Sequence, residues 1–125
     1  MSFEAIGIGS ENVAKSVEFY KRLGVELKKQ GDHDHYDGVT PGGTRLMVDS
    51  VKLIQSFDPA FKKIRGNGVM LCFNQGSAKK VDAMYSELTG AGARVIKAPW
   101  DAFWGQRYAC VSDPDGNHID LFATL

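Results

Sequence analysis

One pattern of secondary structure occurs twice along this chain, once in each half of the sequence. In each half, apolar periodicity and glycine or proline breaks predict a strand, a helix and three further strands. The first half predicts strands over residues 3–9, 25–29, 35–39 and 44–49, and the second half predicts strands over residues 68–74, 93–97, 107–112 and 118–122. Because an internal repeat decides topology, this duplication restricts the fold to two similar units in tandem.

Each predicted helix follows the first strand of its unit and carries a single apolar stripe. The stripes consist of Val13, Val17, Tyr20 and Leu23 in the first helix and of Val81, Tyr85 and Leu88 in the second. Ser10 or Asn12 can cap the first helix, and Gly24 can end it in a left-handed conformation. The expected fold is therefore α/β (α+β), with two tandem βαβββ units whose mixed sheets curl around a cleft.

The length of 125 residues is that of one domain, which we assign to residues 1–125. Unit one is expected over about residues 3–50 and unit two over about residues 68–125. Between them, residues 51–67 are interpreted as a linking loop, because Pro59 argues against a strand that continues through this segment.

Composition and charge exclude several classes of protein. Hydrophobic residues make up 43% of the chain, which is enough for a packed core, and 15 basic residues balance 15 acidic ones. This balance provides no net field for nucleic acid or an anionic membrane, so neither is expected as a partner. Residues 1–13 lack the pattern of a signal peptide, and Cys72 and Cys110 are interpreted as reduced core thiols. We therefore expect a cytoplasmic protein.

Side-chain alternation divides each predicted strand into two faces. In the last strand, Ile119 and Leu121 lie opposite His118, Asp120 and Phe122, and the aliphatic face is expected to pack beneath a helix. In the first strand, small residues lie opposite the isoleucines. A face of small or polar side chains needs water, a partner or a ligand, so it is a candidate binding surface.

Three segments together resemble a known family. They are Val-Glu-Phe-Tyr-Lys-Arg-Leu-Gly at residues 17–24, Trp-Gly-Gln-Arg at residues 104–107 and Asp-Pro-Asp-Gly-Asn at residues 113–117. With the duplicated unit, they resemble the vicinal-oxygen-chelate superfamily, which includes glyoxalase I, extradiol dioxygenases, and fosfomycin- and bleomycin-resistance proteins. The resemblance covers nearly the whole chain.

The resemblance also indicates where a metal ion is usually bound. The positions that carry metal-binding histidines in metal-dependent relatives align with Ala5 and Gly68, and the carboxylate position aligns with Asp120. Ala and Gly have no donor side chain, and a catalytic ion needs about three protein ligands. We therefore predict no metal and no other cofactor at the usual site.

The departure from the metal-binding pattern favours the bleomycin-resistance branch, in which a homodimer binds a small molecule without a metal. A homodimer and a small-molecule ligand are accordingly expected here. Asp120 is expected to anchor a cationic or hydrogen-bonding group, Arg45 or Arg107 an anionic group, and loop aromatics to supply apolar area. The candidate ligand-binding residues are Ala5, Gly7, Arg45, Met47, Gly68, Met70, Trp100, Phe103, Trp104, Arg107, Asp120 and Phe122.

Two other interpretations remain open at this stage. One is a lyase or other metal-dependent enzyme of the glyoxalase type with a non-standard site, using Asp120 with His118, or His33 with His35. The other is a protein whose cleft is vestigial and which acts through its dimer surface. For the tryptophans, packing against a partner subunit is the alternative to ligand contact, and for His118 the alternative is packing at the rim of the sheet.

Overall fold

A computed structural model describes residues 1–63 and 68–125 of the chain. The chain divides into two compact units, Met1–Ile64 and Arg65–Leu125. The first unit contains β1 (Ala5–Ser10), α1 (Val13–Arg22), β2 (Lys28–Lys29), β3 (His35–Val39), β4 (Arg45–Ser50) and α2 (Val51–Phe57). The second contains β5 (Met70–Asn74), α3 (Ala78–Gly90), β6 (Arg94–Ala102), β7 (Gln106–Ser112) and β8 (His118–Thr124). The predicted βαβββ order is thus confirmed in each unit.

The two sheets share one topology. Their strand orders are β1-β4-β3-β2 and β5-β8-β7-β6, so the strand before the main helix pairs with the last strand of its unit in both. That pairing is parallel, and the remaining pairings are antiparallel. The sequence duplication is therefore also a duplication of mixed sheets.

Helix α3 covers one face of the second sheet, where it packs against β7 and β8. Val81 and Leu88 on the helix are buried, as the apolar stripe predicted. The sheet residues beneath are also buried, and they are Ala109, Val111, Ile119 and Leu121. Full burial of each larger aliphatic side chain contributes roughly 1.5–3 kcal/mol. Alternate residues of β7 from Ala109 and of β8 from Ile119 are thereby committed to the core.

The buried face of α1 differs from the predicted stripe. Ser16, Phe19, Tyr20 and Leu23 are buried, whereas Val13 and Val17 are only half-buried. The small Ser16 side chain is accommodated because its hydroxyl lies 2.9 Å from that of Ser10 in a buried hydrogen bond. Hydropathy alone favoured the valines over a serine, and it carries no information on the buried hydrogen bond between Ser16 and Ser10.

The predicted linker contains a short helix, so its interpretation as an irregular loop is wrong for residues 51–57. The Ser50 hydroxyl caps α2 by accepting from the backbone N–H of Leu53 at 3.0 Å. Pro59 follows the helix end and does not interrupt it. Residues 64–67 of the predicted linker lie outside the described residues. Within residues 1–63 and 68–125, no helix is long and apolar enough to cross a membrane.

Strand β6 is longer than predicted and continues past Pro99 to Ala102. Register shifts between Val95 and Lys97, and between Lys97 and Trp100, interrupt its pairing with β7. Proline is tolerated there because β6 is an edge strand and the bulged residues need no partner. As a consequence, Trp100 lies on a strand rather than in the loop where the sequence placed it.

A matched pair of glycine substitutions tests this fold. A Cβ at Gly38, in the middle of β3, would collide with the backbone carbonyl of Glu26, whereas a Cβ at Gly42 would meet no described atom within 4 Å. We expect Gly38→Ala to lower the free energy of unfolding by about 1–3 kcal/mol, because the backbone must shift. Gly42→Ala should change it by less than about 0.5 kcal/mol. Urea denaturation followed by circular dichroism measures both, and equal stabilities would contradict the packing of β3 on residue 26.

Candidate functional site

The strongest cluster of chemically active side chains lies on the open face of the second sheet, opposite α3. Strand pairing places Cys72, Asp120 and Cys110 side by side on β5, β8 and β7. Two residues after Asp120 on the same face of β8, Phe122 pairs with Tyr108 of β7, which in turn pairs with Trp100 of β6. We call this surface the Asp120 face, and it consists of Cys72, Trp100, Trp104, Tyr108, Cys110, His118, Asp120 and Phe122.

Asp120 is a buried carboxylate at the centre of this face, with 4% of its surface exposed. Its Oδ2 accepts a hydrogen bond from the Tyr108 hydroxyl at 2.7 Å and a weaker one from the Cys72 thiol at 3.7 Å. His118 Nε2 lies 2.8 Å from Oδ1. The contact does not have hydrogen-bond geometry, and Oδ1 has no hydrogen-bond partner among the described residues. A buried carboxylate oxygen in this state is costly unless a cation or donor reaches it.

The carboxylate and its surroundings control the protonation of the neighbouring groups. Burial, followed by the charge and hydrogen bond of Asp120, raises the pKa of the Cys110 thiol to about 12. The same causes raise the pKa of the Cys72 thiol and of the Tyr108 hydroxyl. All three groups are therefore protonated near neutral pH and act as donors rather than nucleophiles.

The two cysteines differ in burial, and only Cys110 lies in the core as predicted. The structure has both thiols free, as predicted, and Cys110 is buried. Cys72, however, is exposed, so its interpretation as a core thiol is wrong. The reason is that β5 is an edge strand with Leu71, not Cys72, directed to the core.

Four aromatic rings form a continuous strip next to Asp120. The rings of Trp100, Trp104 and Tyr108 contact one another edge to face, with centroids 5.4–5.9 Å apart. Phe122 stacks on Tyr108 at 6.0 Å. Trp104 is 49% exposed, so the strip is accessible in the single chain. We call Trp100, Trp104, Tyr108 and Phe122 the aromatic strip.

Two further side chains, Phe103 and Lys97, contact the tryptophans of the aromatic strip. Phe103 is almost fully exposed in the turn after β6 and contacts Trp104 with ring centroids 5.1 Å apart. Lys97 Nζ lies 4.8 Å from the centre of the Trp100 ring, a cation–π contact. The strip therefore already holds one cation at a ring face, which is the type of group the sequence predicted as a ligand.

The two predicted arginines are both engaged by carboxylates. Arg107 lies on the helix side of the sheet, where it donates to Asp82 of α3 at 2.9 and 3.2 Å and to Asp101 at 3.2 Å. Strand alternation therefore separates Arg107 from Asp120. In the first unit, Arg45 forms a two-point ion pair with Asp37. Neither guanidinium is a free anchor for an anion.

The remaining predicted residues of the first unit lie together on β1 and β4. Ala5 pairs with Arg45, and Gly7 pairs with Met47. A Cβ at Gly7 would meet the terminal methyl of Met47 at 3.6 Å, so this methionine fills part of the space that the glycine leaves. All four residues belong to the first unit.

Of the two histidines considered as a pair, His35 is engaged by an acid. Its Nδ1 lies 2.5 Å from Asp49 Oδ1 on the adjacent strand, whereas His33 lies in the exposed turn before β3. The alternation of His33 and His35 on one strand, which motivated their pairing, is absent because the strand begins at His35.

Met70 begins β5 and Gly68 lies two residues before it, so the strand starts later than the predicted residue 68, and both residues are exposed. Gly68 has a φ of +85°, and a Cβ there would meet no described atom within 4 Å. At the positions that the family resemblance associates with a metal, Ala5 and Gly68 offer no donor atom, and Asp120 is the one acid present. The residues therefore do not fit the usual metal site.

Sequence reasoning missed Tyr108 and the two cysteines as parts of this face. Tyr108 makes the shortest hydrogen bond to Asp120 on the face, and Cys72 and Cys110 flank the carboxylate. The signal was present in the predicted strands, because Tyr108 and Cys110 share the parity of the open face of β7. It required the pairing register of β7 and β8, which a single sequence does not reveal.

Comparison with known proteins agrees with this architecture. A family model described as Glyoxalase/Bleomycin resistance protein/Dioxygenase superfamily matches residues 2–121. Because the match covers nearly all of the sequence, the chain belongs to this superfamily, which confirms the resemblance.

Individual relatives are distant or match only in part. An uncharacterized protein of Mycobacterium bovis is 46% identical over 41 residues, which cover 33% of this chain and 27% of that protein. The match thus spans about a quarter of that relative's length. An uncharacterized protein of Mycolicibacterium smegmatis is 28% identical over 118 residues, covering 94% of this chain and 90% of that protein.

Solved structures show the same fold. A hypothetical protein from S. aureus superposes with a TM-score of 0.85 at 21% identity, covering 98% of this chain and 94% of the other. A glyoxalase/bleomycin resistance protein/dioxygenase from Nocardioides superposes with a TM-score of 0.77 at 26% identity, covering 100% and 84%. At these identities the likeness establishes the fold and leaves the activity to the site.

Removing the charge at residue 120 tests the electrostatics of this face. Asp120→Asn should lower the pKa of the Cys72 thiol, since the carboxylate charge is the main contribution to its raised pKa after burial. At a mildly alkaline pH, a lower pKa gives the variant a larger fraction of Cys72 thiolate than the unmodified protein has. Iodoacetamide should therefore alkylate Cys72 several-fold faster in the variant. Peptide mass spectrometry measures the rate at Cys72 separately from Cys110.

The matched control is Asp101→Asn, which removes an exposed carboxylate on the Arg107 side of the sheet. It should leave the alkylation rate of Cys72 unchanged. An Asp120→Asn rate equal to or below that of the unmodified protein would contradict the contact between the Cys72 thiol and this carboxylate.

Proposed function

We propose that this chain binds a small, partly aromatic molecule that carries a cationic or hydrogen-bond-donating group. The observation that supports this most directly is the position of the aromatic strip beside a buried carboxylate with an unsatisfied oxygen. Rings supply large apolar contact areas with defined stacking geometry, and a single buried charge orients the ligand. The combination is typical of a small-molecule site.

The chemistry of the face supports binding rather than covalent catalysis. The thiols of Cys72 and Cys110 have raised pKa values, so the free protein has little thiolate for nucleophilic attack. The two arginines are neutralised by carboxylates, which disfavours an anionic ligand. The interactions we assign to the ligand, stacking on the strip and a charge or hydrogen bond at Asp120, do not require a metal ion.

Family membership also supports the proposal. The superfamily description includes bleomycin resistance proteins, the branch that the sequence favoured. Ala5 and Gly68, which lack donor atoms, are consistent with metal-independent binding or sequestration. We propose that the protein acts in this way in the cytoplasm, where the free thiols of Cys72 and Cys110 stay reduced.

Ligand binding is tested with a thermal-shift screen of chelator-treated protein against aromatic amines and matched neutral aromatic alcohols. A ligand that binds the native state raises the melting temperature. For any hit, Trp104→Ala should weaken the affinity measured by calorimetry about 3- to 30-fold, through loss of a ring face worth roughly 0.5–2 kcal/mol. Asp120→Asn should weaken amines more than alcohols.

The control variant is Phe57→Ala, which removes an exposed aromatic ring at the end of α2 in the first unit. It should bind every hit as well as the unmodified protein does. The proposal would be wrong if no compound shifted the melting temperature, or if Trp104→Ala and Asp120→Asn both kept full affinity.

We also propose that the chain forms a homodimer. Support comes from apolar side chains on the β6 edge strand, where Val95 and Ile96 are 47% and 45% exposed. Exposed apolar edges favour association. Analytical ultracentrifugation should show a dimer whose dissociation constant rises at least about tenfold in Ile96→Lys. The control Val39→Lys should sediment as the unmodified protein does, and a monomer at every concentration would exclude the dimer.

A further inference from the structure

Three metal-ligating side chains converge on the Asp120 face, and the ligand-binding proposal uses only one of them, Asp120. The ligand atoms offered by Cys110, His118 and Asp120 all lie within 4.8 Å of one another. Cys110 pairs directly with Asp120 across β7 and β8, and His118 lies two residues before Asp120 on the same face. The sheet backbone therefore fixes the relative positions of all three.

We propose that Cys110, His118 and Asp120 bind a single zinc-type divalent ion through the sulfur, an imidazole nitrogen and a carboxylate oxygen, and that the Cys110 thiol, protonated in the free protein, releases its proton to solvent as the ion binds. This mixed sulfur, nitrogen and oxygen set suits zinc and disfavours magnesium and calcium, which prefer oxygen ligands. In a tetrahedral zinc site with bonds of 2.0–2.3 Å, ligand atoms lie about 3.3–3.6 Å apart. His118 Nε2 lies 2.8 Å from Asp120 Oδ1, and no separation within the set exceeds 4.8 Å, so binding requires these side chains to adjust.

The state of Asp120 points independently to a cation. Its Oδ1 is buried, has no hydrogen-bond partner among residues 1–63 and 68–125, and lies 2.8 Å from His118 Nε2. An ion bound between the imidazole and the carboxylate satisfies that oxygen. The other oxygen, Oδ2, is held by the Tyr108 hydroxyl, an outer partner of the kind that orients ligating carboxylates.

This centre differs from the metal site that the family resemblance implies. It shares with that site only the carboxylate of Asp120, and it lies on two adjacent strands of one sheet. The positions of Ala5 and Gly68 play no part in it. With three protein ligands, a tetrahedral ion keeps a fourth position for water or a ligand group, as in catalytic zinc sites. Binding of the ion needs no organic ligand, so it can be tested apart from the function proposed above.

The test is a titration of untagged, reduced, chelator-treated protein with cobalt(II), which reports thiolate ligation by a charge-transfer absorption band. We expect one equivalent of cobalt per chain, with the band present, and displacement of cobalt by zinc. Cys110→Ser should abolish the band, whereas the matched thiol variant Cys72→Ser should keep it. Zinc should also raise the melting temperature.

His118→Gln provides a second variant at a position where the side chain is 33% exposed. It should weaken cobalt affinity at least about 100-fold, beyond the 10- to 100-fold loss typical of an outer-shell partner. Trp104→Ala should bind cobalt normally, which separates failure of this centre from failure of the aromatic site. Circular dichroism without metal verifies that each variant is folded.

Three results would overturn the proposal. The first is no saturable binding of cobalt or zinc by the folded protein. The second is a charge-transfer band that persists in Cys110→Ser or disappears in Cys72→Ser. The third is a cobalt affinity of folded His118→Gln equal to that of the unmodified protein.

Discussion

The pairing register between β7 and β8 is the constraint on which the second unit depends. It directs Ala109, Val111, Ile119 and Leu121 beneath α3, where all four are buried. The alternate positions then necessarily carry the polar and aromatic residues to the open face. A slip of one residue would move the aliphatic side chains into solvent and Asp120 into the apolar core, which makes the register strongly determined. Core packing and site assembly are thus consequences of the same pairing.

Asp120 shows how this arrangement imposes chemistry on its neighbours. A carboxylate with 4% exposure retains its place because Tyr108, Cys72 and His118 surround it. The surroundings remain incomplete, since Oδ1 makes no hydrogen bond among the described residues. A hydrogen-bond donor on a ligand and a metal ion would each satisfy that oxygen. Only the metal ion would also bind Cys110. Buried polar groups that are only partly satisfied are often functional.

The two units share a topology but differ on the equivalent faces. On the first sheet, two ion pairs join neighbouring side chains of β3 and β4. They are Asp37 with Arg45 and His35 with Asp49. Near the end of β1, the Phe61 ring fills the space beside Gly9, since a Cβ added to Gly9 would lie 3.0 Å from it. These four side chains of β3 and β4 are paired, whereas the second unit keeps an exposed aromatic strip and a carboxylate oxygen without a hydrogen bond among the described residues. Duplication preserved the backbone, and the side chains diverged.

The sequence by itself determined the duplicated order of strands and helices and the family. These depend on local periodicity, turn residues and short motifs, all of which can be recognised within one segment. It also identified Asp120, because that residue follows a recognisable turn. Only the tertiary structure decided that Arg107 faces α3, that Trp100 lies on a strand, and which side chains surround Asp120. Those properties depend on how strands that are distant in sequence pair with one another. The pairing register cannot be read from a single amino-acid sequence.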